Sequence, residues 1–128
     1  MIVVDANILA YLYLPGENTT RAEALMQDDP DWAAPVLWRS EFRNILTDGV
    51  RRGGLTLGQA CRIQSGAESL MGGREYHVDS MQVLTLAYEG KCTAYDCEYV
   101  ALATTLGTRV VTCDKQVLRA FPGVAVAL

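Results

Sequence analysis

With 128 residues, half of them hydrophobic and 20% charged, the chain has the length of one domain and the composition of an ordinary soluble globular protein. That length can bury roughly two thirds of the unfolded surface, and no apolar run approaches the ~20 residues of a membrane span. A net charge of −4 argues against non-specific attachment to a nucleic-acid backbone. It leaves room for a nucleic-acid enzyme whose acids gather around a metal.

In chain order, "MIVVD" is a short apolar run of the kind found in buried parallel strands. It lacks the basic lead and cleavage site of a secretory signal, so a cytoplasmic address is expected. "ANILAYLYL" fits a helix ended by Pro15-Gly16. Thr19 or Thr20 can cap "RAEALMQ", and the acid-rich "DDPD" after it reads as a loop. "WAAPV" is a second strand, broken by Pro35, which suits the first turn of a helix running from Val36 to Arg52 and ending at Gly53-Gly54. Thr56 caps "LGQACRIQSGAESLM", which stops at Gly72-Gly73, and "EYHV" is a third strand. Asp79 caps "SMQVLTLAYEG", and Thr93 caps "AYDCEYVALATTLG". "TRVVTCD" is a strand, "KQVLRAF" a short helix and "VAVAL" a closing strand. Strands alternating with helices predict a single α/β domain over residues 1–128, with a central, mainly parallel sheet and helices on both faces.

Cys61, Cys92, Cys97 and Cys113 form no C-x-x-C pair, and His77 is the only histidine. Zinc sites are usually built from closely spaced ligand pairs, so reduced, mostly buried thiols are expected, with His77 structural.

Four acids stand in awkward places. Asp5 and Asp114 each end an apolar strand and precede a helix. Each alone reads as a helix cap; on neighbouring parallel strands the two would face one crevice. Leu37, Glu41 and Ile45 fall at i, i+4 and i+8, which sets Glu41 on an apolar stripe. Asp96 shares a face with Val100 and Ala103, whereas Glu98 falls about 200° round the helix. Several carboxylates in one partly buried site repel one another unless a cation neutralises them. A hard divalent ion such as Mg²⁺ or Mn²⁺ suits oxygen ligands.

"VVDANIL", Glu41 in "SEFRNIL", Asp96 in "AYDCEYVALA" and Asp114 in "VVTCDKQVL" resemble the PIN-domain nucleases, in particular the VapC-type toxins of toxin–antitoxin pairs. The resemblance spans essentially the whole chain. It implies that Asp5, Glu41, Asp96 and Asp114 are the acidic quartet holding one or two Mg²⁺ or Mn²⁺ ions for hydrolysis of an RNA phosphodiester. It also implies that Asn7 and Thr112 orient carboxylates or water behind them. A symmetric homodimer and a cognate antitoxin, whose tail covers the acidic site, belong to the same expectation. The apolar surplus at Tyr11, Leu12, Tyr13 and Leu14 suggests where the dimer face lies.

Positive charge is concentrated at Arg39, Arg43, Arg51 and Arg52, on or just after the helix of Glu41. Beside a metal site that charge points to phosphate positioning in RNA. Trp38, Tyr95 and Tyr99 offer stacking surfaces, with core packing expected for at least two of them. Three other readings stand beside a toxin nuclease. One is a housekeeping PIN nuclease without an antitoxin. A second is a haloacid-dehalogenase-like phosphatase with Asp5 as nucleophile, although that class usually carries an Asp where Asn7 stands. The third is a non-catalytic module binding RNA or protein.

Overall fold

Short apolar runs too brief for a helix fold as strands, and the amphipathic stretches between them fold as the crossovers that parallel strands require. The computed structural model describes residues 1–128. Its elements are β1 (Ile2–Val4), α1 (Ala6–Tyr13), α2 (Thr19–Asp28), β2 (Trp32–Pro35), α3 (Trp38–Arg51), α4 (Leu57–Met71) and β3 (Glu75–Tyr76), followed by α5 (Ser80–Gly90), α6 (Ala94–Leu106), β4 (Val110–Thr112), α7 (Lys115–Ala120) and β5 (Ala125–Ala127). The strands form one sheet in the order β3-β2-β1-β4-β5. Every neighbouring pair is parallel, so the mainly parallel sheet expected from the sequence is wholly parallel.

β1 lies at the centre, buried along its length. From it the chain moves outward through β2 to β3, then returns to β4 on the other side. The strand order therefore reverses between β1 and β4, where open α/β sheets form a crevice. Val4 is in register with Val111, so the residues following each strand emerge side by side.

The helices fall into two packed groups: α6 lies against β1, β2 and β4 with α5 packed on it, and α1 to α4 pack in series, α2 and α3 on α1 and α4 on α3. The residues of α6 are apolar nearly all round because the helix is covered on both sides, with Cys97, Tyr99, Val100, Ala101, Leu102 and Ala103 buried. No helix is long and apolar enough to cross a membrane.

Several local expectations are corrected. α3 begins at Trp38, not Val36, because Pro35 stays in β2 opposite Tyr76 and the Val36 N–H donates to the Tyr76 carbonyl (3.0 Å). That ladder bond keeps the chain extended past the proline. The buried stripe of α3 is Trp38, Phe42 and Leu46, one position round from the stripe through Glu41. Neither threonine caps α2: Asn18 precedes it without a side-chain cap. The Thr19 hydroxyl instead closes the preceding turn, accepting from the Gly16 N–H and donating to the Leu14 carbonyl. Only Cys92 and Cys97 are buried; Cys61 and Cys113 are exposed.

The apolar surplus of α1 is only half-buried. Tyr11, Leu12, Tyr13 and Leu14 pack against the core, and the Tyr13 ring meets Phe42 edge-on at 6.2 Å. Three of the eight large exposed apolar side chains lie on α5, where Met81, Leu84 and Tyr88 are 67, 59 and 86% exposed. Their i, i+3, i+7 spacing puts them on one face.

The end of α5 depends on a missing side chain. A Cβ at Gly90 would stand 2.4 Å from Cζ of Phe121, so the ring behind α7 packs directly on helix backbone. Gly90→Ala is expected to destabilise the fold by roughly 1–3 kcal/mol through overpacking, despite the better helix propensity of Ala. Thermal denaturation should register a fall of several degrees; an unchanged or raised melting temperature would contradict this packing.

Candidate active site

Asp5 follows the last residue of β1 and precedes α1. Its Oδ1 accepts from the Ile8 N–H at 3.1 Å, which makes it the N-cap of that helix. Its other oxygen accepts from the Thr112 hydroxyl at the end of β4. Two residues on, the Asp114 N–H donates to Thr112 Oγ1 at 3.0 Å. Asp114 in turn caps α7, with Oδ1 accepting from the Gln116 and Val117 N–H groups at 2.8 and 3.0 Å. The buried Thr112 hydroxyl thus ties together the two acids that follow the neighbouring strands. Capping does not compete with a place in the crevice, since each aspartate caps through one oxygen.

Glu41 and Asp96 arrive from either side. Both lie in a first helical turn, Glu41 in α3 and Asp96 in α6. The Tyr99 hydroxyl donates to Glu41 Oε1 at 2.6 Å. The four acids line one cleft of about 430 Å³ together with Asn7, Ser40, Asn44, Tyr95 and Tyr99.

All four acids therefore lie at the N-terminal ends of helices. There the unsatisfied N–H groups and the helix dipole favour negative charge. This offsets only part of the strain. Burial, opposed by the Thr112 and Ile8 hydrogen bonds and aided by Glu41, pushes Asp5 up to about 6. Burial chiefly raises Glu41, with Asp96 adding to the effect, and it raises Asp96, with Asp114 adding.

No cation answers the cluster. The ion pairs of the protein are those of the N-terminus with Asp29, Arg39 with Glu68 and Glu75, and Arg74 with Asp31. As the side chains stand, no three acids converge closely enough to ligate one ion. The donors are nevertheless hard oxygens around one cleft, and Glu41 Oε2 and Asp114 Oδ2 accept no protein hydrogen bond. That donor set suits Mg²⁺ or Mn²⁺.

The other residues singled out from the sequence are distributed differently. The Thr112 hydroxyl bonds Asp5, whereas the Asn7 side chain is exposed at the cleft and bonds none of the acids. The four arginines do not join the cleft. Arg39 is held by Glu75 and Glu68, while Arg43 and Arg51 line a separate groove between α3 and α4. Arg52 is exposed just past the end of α3. Trp38 and Tyr99 are core residues, and Tyr95 is 62% exposed. His77 lines a different depression, together with Glu98.

Sequence reasoning missed three cleft residues in these roles: Tyr99 as the partner of Glu41, and Ser40 and Asn44 on α3. The signal was present in the helical period, because Leu37, Ser40, Glu41, Asn44 and Ile45 form a continuous half-polar stripe. All five line the cleft.

The family model for the PIN domain matches residues 2–123. Ribonuclease VapC3 of Pyrobaculum aerophilum is 30% identical over 124 residues, covering 94% of this chain and 95% of the relative. Among solved structures, the fold resembles PAE2754 from the same organism, with a TM-score of 0.76 and 24% identity over 97% of this chain and 81% of that one. It also resembles FitAcB from Neisseria gonorrhoeae, with a TM-score of 0.74 and 20% identity over 100 and 97% of the two chains. A toxin–antitoxin complex from Klebsiella pneumoniae gives a TM-score of 0.68 and 17% identity over 98 and 96%. At these identities the solved structures bear on fold alone.

The raised Asp5 has a consequence for stability. Folded, Asp5 holds its proton up to about pH 6, against an ordinary value of 3.8; between those values the folded state binds more protons. Its contribution is therefore most favourable below pH 4 and is lost as pH rises through 6. In chelator, Asp5→Asn, which keeps the capping acceptor, should be more stable than wild type at pH 7 by on the order of 2 kcal/mol. The gap should close toward pH 4. Melting curves of both proteins across this range test it, and a gap independent of pH would contradict the assignment.

Proposed function

The chain belongs to the PIN-domain family, and on that premise we propose that it is a divalent-metal-dependent endoribonuclease, the toxin of a toxin–antitoxin pair. One observation carries this reading: acids from four separate segments line one cleft, and none has a cationic partner. The ribonuclease relative supports RNA as substrate. The phosphatase reading of Asp5 falls away with the family.

Mg²⁺ or Mn²⁺ in the cleft supplies Lewis acidity toward a phosphodiester and neutralises the carboxylates. Asp5, Glu41, Asp96 and Asp114 are the residues that would hold it. Thr112 orients Asp5 through its hydroxyl, and Asn7, at the exposed rim, hydrogen-bonds substrate or water. Arg43, Arg51 and Arg52 make no ion pair and contact RNA phosphates along the flank of α3, away from the scissile bond. Arg39 is withdrawn from that role by its two glutamates.

A cleft of unpaired carboxylates also suits an Arg or Lys from an antitoxin tail in competition with metal. The homodimer face is on α5. Its exposed Met81, Leu84 and Tyr88 lie in a helix whose only charged residue is Glu89, and such a face is self-complementary without charge pairing.

Cleavage of RNA by the purified protein should require Mg²⁺ or Mn²⁺ and stop on chelation. Asp5→Asn and Asp96→Asn should each lower the rate by roughly 100-fold or more with circular dichroism unchanged. Expression of wild type alone should arrest growth, and co-expression with the antitoxin should relieve it. Well-folded variants cutting at wild-type rates would overturn the site, and a wild type that cuts no RNA in either metal would leave a binding module. Cleavage without growth arrest would favour a housekeeping nuclease.

For the dimer, Leu84→Arg should convert the protein to monomers in sedimentation velocity at unchanged helicity. A wild type that is monomeric at tens of micromolar would refute the dimer; a Leu84→Arg variant that stays dimeric would refute the α5 face.

A further inference from the structure

We propose that Tyr99 is a positioning residue of the acidic cleft, holding the Glu41 carboxylate and setting its separation from Asp96. The inference rests on the metal-site reading above and goes beyond the four acids to what holds one of them in place. Glu41 has three rotatable side-chain bonds and is only partly buried, so an unrestrained carboxylate would sample several positions. A single protein hydrogen bond restrains it, the 2.6 Å bond from Tyr99.

Tyr99 suits that task. Its ring is 3% exposed and belongs to the main core cluster, so packing fixes the position of the hydroxyl. A phenol keeps its proton at neutral pH, so the hydroxyl is a donor to the carboxylate. The bond engages Oε1 alone, which leaves Oε2 for a cation.

The placement along the chain matters as much as the bond. Tyr99 follows Asp96 by three residues on α6, so both face the cleft. One helix therefore presents an acid of its own and, one turn later, the group that restrains the acid of α3. Tyr99 also closes, with Asp5, Asp96 and Thr112, a void of about 10 Å³ behind the cleft. Thr112 and Tyr99 thus play parallel parts, each a buried hydroxyl bonded to one carboxylate. Phenylalanine would fill the same core volume and lack only the hydroxyl, which makes the role separable from packing.

The test is a double-mutant cycle read as Mn²⁺ affinity, by electron paramagnetic resonance of free Mn²⁺, on wild type, Tyr99→Phe, Glu41→Gln and the double variant. Tyr99→Phe should weaken Mn²⁺ binding by about 10-fold with circular dichroism unchanged, and raised Mn²⁺ should restore much of its RNA cleavage. Because Tyr99 acts through Glu41, the double variant should bind no more weakly than Glu41→Gln alone. Wild-type affinity in Tyr99→Phe, or additive losses in the double variant, would overturn the role while leaving the metal site intact. Failure of wild type to bind Mn²⁺ would overturn both. If Tyr99→Phe does not fold, Tyr99→Met, which also lacks the hydroxyl, takes its place in the cycle; a loss that disappears on the Glu41→Gln background supports the role, and an absent or additive loss overturns it.

Discussion

Like charges gathered in a partly buried cleft repel, and the architecture is arranged around that repulsion. Asp5 and Asp114 cap their helices, and Glu41 and Asp96 stand in first turns. Four helix N-termini therefore border one cleft, and their dipoles place partial positive charge there. The backbone supplies partial positive charge where no Lys or Arg does, so the carboxylates can be held together yet stay open to a cation. An arginine in the cleft would neutralise the acids better and close it to any other cation.

The topology makes this convergence possible. In a parallel sheet all strands end on the same side, and helices that follow directly begin there. Asp5 and Asp114 meet because β1 and β4 are neighbours at the reversal of strand order. Glu41 and Asp96 come from helices on the two sides, and the Tyr99–Glu41 bond joins those helices.

α3 shows how one helix serves core and cleft together. Trp38, Phe42 and Leu46 enter the core, with the Trp38 ring 5.7 Å from Phe42. The adjacent stripe through Glu41 lines the cleft. Glu75 on β3 accepts from the Trp38 indole N–H and from Arg39, which fastens the start of α3 and with it the entry angle of Glu41. The arginine that looked like a phosphate contact is thus used to fasten a helix. Its removal from the candidate RNA contacts concentrates free positive charge at Arg43, Arg51 and Arg52, along the outer flank.

Element order, parallel pairing and the acids that end β1 and β4 were legible in the sequence, because they follow from local pattern: apolar runs, helical periods and the turn residues between them. The family likeness was also legible, since it rests on motifs in order. Which side of a helix faces the core was not. Glu41 lies one position from the buried stripe of α3, and a one-residue rotation of about 100° lies within the ambiguity of an apolar period. The fate of Tyr11 to Leu14, the capture of Arg39 by Glu75 and Glu68, and the bond from Tyr99 to Glu41 depend on partners between 20 and 60 residues away. No local pattern encodes such pairings. They arise only when the sheet brings those segments together, and at that stage tertiary packing decides which polar groups are held and which remain free to act.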